Sequence, residues 1–196
     1  MATLEFFFDV GSPTAYLAHT QLPGIAARTG ADMRWRPMLL GGVFKSTGNR
    51  APGEVAPKGA YMLRDLQRYA ARYGVPYAHN PNFPINTILM MRGAVAAQRQ
   101  GVLPGYLDAI FRGMWIEQAP MQNPQEVGRR LAAAGIDVAA LLALTEDQSV
   151  KDELRANTEE AVGRGAFGAP TFFVGTEMFF GQDRLDFVEE ELRRNA

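Results

Sequence analysis

The chain contains no cysteine. Disulfides, thiolate metal sites and a cysteine nucleophile of the protein's own are thereby excluded. Histidine is almost as scarce. His19 and His79 are the only two; they lie far apart and lack a neighbouring carboxylate pattern. Neither a zinc site nor a Ser-His-Asp triad is expected, and no metal is expected at all. His19 reads as a residue packing or capping on the first helix, and His79 as a loop residue. No segment approaches the roughly 18 uninterrupted apolar residues of a transmembrane helix. A net charge of −1 gives no electrostatic footprint for nucleic acid or an anionic membrane. The opening Met1-Ala2-Thr3-Leu4-Glu5 carries no basic segment, so a secretory signal is not expected and the cytoplasm is the expected location.

What is present is ordinary globular material: 196 residues, 47% hydrophobic and 21% charged. That suits one sizeable domain, or a domain with a large insertion. The most informative stretch is Phe6-Phe7-Phe8-Asp9-Val10-Gly11-Ser12-Pro13-Thr14-Ala15-Tyr16-Leu17. An apolar run of strand formers stops at Gly11, Ser12 follows as a helix cap, and Pro13 occupies the first helical position. Ser12 thus sits at a helix N-terminus, where free N–H groups and the helix dipole favour negative charge. As a plain N-cap it contributes roughly 1 kcal/mol. A capping oxygen can still donate its own proton outward to a bound anion, so the two roles are compatible.

Leu4 to Val10 reads as a strand, and the helix runs from Pro13 to about Thr29 with Gly30 as its stop. Ala31 to Met38 alternates as a half-buried strand ending near Pro37. A β-α-β unit of this length implies parallel pairing. The Gly/Pro-rich stretch from Gly41 to Gly59, with Lys45, Asn49, Arg50 and Lys58, reads as a long irregular loop, either a plain connector or a binding loop. Helical patterns follow from Ala60 to about Tyr73, from Asn86 as a cap through Met90 and Met91 to Gln100, and from Pro104 to Trp115. Others run from Pro124, capped by Asn123, to Ala134, from Asp137 to Leu144, and from Asp147 to about Val162. The methionines and alanines of the second of these read as core filling. Thr171–Val174, the turn Gly175-Thr176 and Glu177–Phe180 form a hairpin. A final helix opens at Gly181-Gln182-Asp183-Arg184. On spacing alone Pro170 can be an ordinary trans proline at a strand's first position.

The expected fold is α/β: a thioredoxin-like domain with a large inserted all-helical subdomain. Residues 1–40 and 165–196 would form the thioredoxin-like part, and residues 41–164 the helical insertion with its substrate-binding loops. Four segments sharpen this: F-F-F-D-V-G-S-P-T-A-Y-L, K-S-T-G-N-R-A-P-G-E-V-A-P-K-G-A-Y-M, G-A-F-G-A-P-T-F-F-V and F-F-G-Q-D-R-L. In these, and in their order, the chain resembles the kappa-class glutathione transferases, within the DsbA-like thioredoxin superfamily. It resembles more closely their bacterial relatives, the 2-hydroxychromene-2-carboxylate isomerases of aromatic-compound degradation.

The resemblance implies glutathione as cofactor, a small aromatic or electrophilic second substrate, and a homodimer. It places Ser12 against the glutathione sulfur as the catalytic residue, with Pro13 and Thr14 completing the turn. The family position of Thr14 is often aromatic. Asn49 and Lys58 match loop residues that hold the tripeptide or the second substrate. Ala169 matches the residue before a cis-proline, whose backbone pairs with the cysteinyl part, so Pro170 is expected to be cis. Gln182 and Asp183 match the pair at the γ-glutamyl end. Asn86 falls near the second-substrate pocket, and Lys45, Asn49, Arg50 or Lys58 would hold a substrate carboxylate, Lys58 foremost.

With no thiol of its own the chain cannot shuttle a disulfide, but a bound cofactor can bring one. A helix N-terminus lowers a thiol's pKa, and a hydroxyl donor favours the thiolate further. Ser12 is then a thiolate stabiliser, and no base is in view to make it a nucleophile. In the isomerase reading, thiolate addition makes a conjugated double bond temporarily single. Rotation follows, and elimination restores the double bond. A transferase would keep the adduct, and a non-catalytic glutathione-binding module would bind without turnover.

Overall fold

The computed structural model describes residues 2–195. Its centre is a four-stranded sheet in the order β2-β1-β3-β4. The strands are β1 (Thr3–Phe8), β2 (Asp32–Pro37), β3 (Thr171–Val174) and β4 (Glu177–Phe180). β1 and β2 pair in parallel, as a crossover through a helix allows, while β3 runs antiparallel to β1 and to β4. Every residue of β3 is buried, as expected of a strand covered on both faces. Alternation along β1 divides its phenylalanines between two cores. Phe6 and Phe8 join Leu4, Phe172 and Val174 in the larger core. Phe7 joins Phe173, Met38, Val43, Ala161 and Ala166 in the smaller one.

Helix α1 (Pro13–Thr29) joins the two parallel strands, and its limits are those the sequence sets: Ser12 caps the start, and Gly30, at φ 68°, turns the chain out. Between β2 and β3 lie α2 (Leu40–Thr47), α3 (Ala56–Tyr73), α4 (Ile88–Arg99), α5 (Leu103–Trp115), α6 (Pro124–Ala133), α7 (Val138–Glu146) and α8 (Gln148–Gly163). Helix α9 (Leu185–Arg194) closes the described chain after a 3-10 turn at Gln182–Arg184. Asn123, Asp137 and Asp147 cap α6, α7 and α8 through their side chains. No helix is long and apolar enough to cross a membrane among the described residues.

One expectation is corrected. The stretch 41–59 is not one long loop: it holds α2, a 3-10 turn at Pro52–Glu54 and the first turn of α3. Leu39, at the cap position of α2, offers no side-chain acceptor. The first N–H of that helix is satisfied instead by Asp9, at the end of β1: Leu40 N donates to Asp9 Oδ2 at 2.9 Å. The Gly41-Gly42 pair is poor helix material. Gly42 serves close packing, since a Cβ there would lie 3.1 Å from Thr158 Cγ2 on α8, whereas a Cβ on Gly41 would meet nothing within 4 Å. Tertiary contacts, not propensity, make this helix.

Candidate active site

The turn Asp9–Ser12 leaves the C-terminal end of β1 and is held from every side. Trp115 Nε1 donates to Val10 O at 2.9 Å, and Val10 N donates to Met91 Sδ at 3.3 Å. Ser12 N donates to Asp9 O at 2.9 Å. The buried Asp9 carboxylate accepts from Gly11 N at 2.8 Å, from Leu40 N at 2.9 Å and from Thr87 Oγ1 at 3.0 Å. One side chain therefore ties the turn to the starts of α2 and α4. Burial pushes the Asp9 carboxyl above its ordinary value, and these three hydrogen bonds counter that in part. Gly11 is required by proximity: a Cβ there would lie 2.8 Å from Thr87 Cγ2.

So fixed, Ser12 presents its hydroxyl at the head of α1. Its Oγ accepts from Ala15 N at 3.1 Å and donates to Ala169 O at 2.9 Å. Thr14 Oγ1 also donates to Ala169 O, at 3.0 Å, and lies 2.8 Å from Ser12 Oγ. The Ala169–Pro170 peptide bond is cis, as is Phe83–Pro84, for which the sequence offered no signal. Pro170 O accepts from Gly181 N at 3.0 Å, which brings the Gln182–Arg184 turn alongside. Tyr73 OH, from the end of α3, donates to Gln182 O at 2.6 Å. Gly181 has φ 98°, and Asp183 curls back over it so closely that a Cβ would meet Asp183 Oδ1 at 2.4 Å. Asp183 pairs with Arg184 at 2.6 Å.

Ser12, Pro13, Thr14, Ala169, Pro170, Gln182 and Asp183 thus converge at one end of the sheet. Asn49 joins them through the loop before Pro170: its Nδ2 donates to Phe167 O at 2.7 Å while its Oδ1 accepts from Arg50 N. Each end of that amide makes one bond among the described residues, which leaves its second N–H free to donate. The N-cap of α4 is Thr87 and not, as expected, Asn86. Asn86 lies one residue before it, beside the Asp9 cluster, and its Oδ1 accepts from Ile88 N, the first N–H of the helix, at 3.0 Å. Lys45 and Lys58 are exposed, and no hydrogen bond or ion pair links either to the turn among the described residues. Lys58 lines a separate shallow depression of about 430 Å³ with Pro52, Pro57, Tyr61, Met62 and Asp65. At the rim near Asn49, the Phe167 and Phe180 rings lie 4.5 Å apart, each 39% exposed.

Sequence reasoning passed over Asp9, Thr87, Trp115 and the Phe167–Phe180 pair. Asp9 alone carried a signal, as an acid ending a run of buried phenylalanines. The other contacts join residues distant in sequence.

The donor set suits an anion. It offers a hydroxyl proton on Ser12 and the N–H of Thr14, the one first-turn donor of α1 left open among the described residues, since Pro13 has none, Ala15 N goes to Ser12 Oγ and Tyr16 N to Ser12 O. The Ala169 N–H also has no partner among the described residues. Among the described residues no base is hydrogen-bonded to Ser12 Oγ, whose partners are Thr14 Oγ1, Ala169 O and Ala15 N; His19 packs against Trp35 and Phe111 and His79 bonds Tyr77. The chain itself has no thiol to place there.

The DsbA-like thioredoxin domain family matches residues 3–193. The 2-hydroxychromene-2-carboxylate isomerase of Sphingobium xenophagum is 33% identical over 192 residues, covering 97% of both chains. The glutathione S-transferase kappa 1 of Homo sapiens is 28% identical, covering 95% of this chain and 88% of its own. A solved 2-hydroxychromene-2-carboxylate isomerase superposes with a TM-score of 0.88 at 27% identity, covering 98% of this chain and 95% of that one. With a cysteine-free helix start joined to a cis-proline turn, and relatives aligned end to end, the chain belongs to the DsbA-like thioredoxin family, in its group of 2-hydroxychromene-2-carboxylate isomerases and kappa-class glutathione transferases.

Proposed function

We propose that this protein is a glutathione-dependent cis-trans isomerase of the 2-hydroxychromene-2-carboxylate isomerase type. It would act as a cytoplasmic homodimer on an intermediate of aromatic-ring degradation. The observation that carries the reading is the placement of Ser12: a hydroxyl at a helix N-terminus, facing the cis-proline turn, in a chain with no thiol. Relatives at 30–33% identity bear the isomerase name, which supports the same activity here.

Bound glutathione would supply the thiolate that adds reversibly to a conjugated carbon–carbon double bond. The chain's own residues do the rest. Ser12 holds its proton toward the sulfur, and the start of α1 adds its dipole, both favouring the ionised thiol at neutral pH. Ala169 and Pro170 align the cysteinyl backbone, and Gln182 and Asp183 hold the γ-glutamyl end. Asn49 fixes the 167–170 loop from which these contacts hang. The half-exposed Phe167–Phe180 pair, its rings tilted 47° to each other, offers an apolar rim against which an aromatic ring can pack. Lys45, Asn49, Arg50, Lys58 and Asn86 remain the candidates for the second substrate, the lysines for its carboxylate.

The test is to incubate the protein with glutathione and either a chromene carboxylate or a chloro-dinitrobenzene-type electrophile. Isomerised product with glutathione returned unchanged is the expected result. A stable conjugate without isomerisation would make the protein a transferase, and binding without turnover of either would make it a binding module.

A further inference from the structure

Ser12 Oγ, Thr14 Oγ1 and Ala169 O form a closed triangle with sides of 2.8, 2.9 and 3.0 Å. Ala169 O can only accept, and each hydroxyl has one proton. Two protons must therefore serve three edges, and the arrangement has a spare orientation. Ser12 Oγ has two lone pairs, one of them already taken by Ala15 N–H.

We infer that Thr14 is a positioning residue that makes Ser12 an obligate donor to the bound sulfur. This rests on glutathione occupying the Ser12 turn. A thiolate beside Ser12 competes with Ala169 O for the Ser12 proton. Thr14 turns its own proton to Ser12 Oγ and fills the second lone pair. Ser12 then has no acceptor capacity left. It can donate to a thiolate but cannot accept the S–H proton of a thiol, so the pair discriminates between the two protonation states. The chain from Thr14 through Ser12 to sulfur also polarises each hydroxyl in the same sense. Ala169 O, released by both hydroxyls, is left for an amide N–H of the tripeptide. Threonine at a position often aromatic in the family thus has a task of its own.

The test titrates the bound glutathione thiol by its thiolate absorbance in the wild type, Thr14→Val, Thr14→Ser and Ser12→Ala. Affinity for S-methylglutathione, which has no titratable sulfur, is measured alongside. Thr14→Val should raise the bound thiol's pKa by about one unit and leave S-methylglutathione affinity within about twofold. Thr14→Ser, which keeps the hydroxyl, should titrate like the wild type. Should Thr14→Val fold poorly, Thr14→Ala serves in its place. A wild-type titration in the Val or Ala variant, with Ser12→Ala raised, overturns the inference while leaving the Ser12 reading intact. An equal loss of S-methylglutathione affinity and no pKa change would reduce Thr14 to a tie between α1 and the loop. If Ser12→Ala also titrates normally, the underlying reading fails first.

Discussion

Replacing Asp9 by asparagine tests how the active turn is held. The change keeps the size of the side chain and removes one acceptor oxygen. In the wild type one oxygen serves Gly11 N and the other serves both Leu40 N and Thr87 Oγ1. Thr87 can reverse its hydroxyl and accept from the new NH2 group, but a backbone N–H cannot. Whichever way the amide flips, either Gly11 N–H or Leu40 N–H faces a donor and is left unsatisfied. A buried donor stranded in this way costs about 1–3 kcal/mol. Relief of the buried charge offsets part of this, so a net loss of about 1 kcal/mol is expected, or roughly 2–4 °C in Tm for a chain of this length. Thermal unfolding followed by circular dichroism gives the shift, and amide exchange at Leu40 and Gly11 locates it. A variant that melts with or above the wild type, with both amides still protected, would refute the claim that Asp9 holds the turn and α2 together.

Other consequences are as specific. His19 is packed against Trp35 and Phe111 with Nδ1 buried and unpartnered, and burial lowers its pKa to about 4. The folded state thus keeps it neutral while the unfolded chain takes up a proton below about pH 6.5, so stability falls as pH drops from there toward 4. From pH 7 to pH 5 the loss is about 2 kcal/mol. Chemical denaturation of His19→Phe should lack this part of the slope and keep only a residual one of the same sign from His79, whose pKa burial also lowers. Slopes parallel to the wild type would contradict the assignment. Gly11→Ala should cost about 1–3 kcal/mol by pushing on Thr87, and Thr87→Ser, which removes the clashing methyl, should restore most of it in the double variant. Tyr73→Phe removes the hydrogen bond to Gln182 O and should weaken glutathione binding by roughly two- to tenfold, read by calorimetry; an unchanged affinity would separate that turn from the ligand.

Local rules made much of this fold legible. The limits of α1 came from Ser12, Pro13 and Gly30, and the hairpin from Gly175-Thr176 between two apolar runs, all interactions within a few residues. Helix α2 was hidden because its capping group is Asp9, far upstream, and because Gly42 serves contact with α8. The same distinction divides the candidate site. Ser12 was visible as a cap, and Pro170, Gln182 and Asp183 through the family resemblance. Thr14's bond to Ala169 and Asn49's bond to Phe167 join segments separated by more than half of the chain. No periodicity in the sequence encodes them.

The central claim is that the reactive sulfur is borrowed and sits at the first turn of α1. A structure of the protein in complex with glutathione tests this most directly. The account predicts the sulfur within hydrogen-bond reach of Ser12 Oγ, with the tripeptide backbone along Ala169. A sulfur bound elsewhere, with Ser12 still turned to Ala169 O, would contradict it.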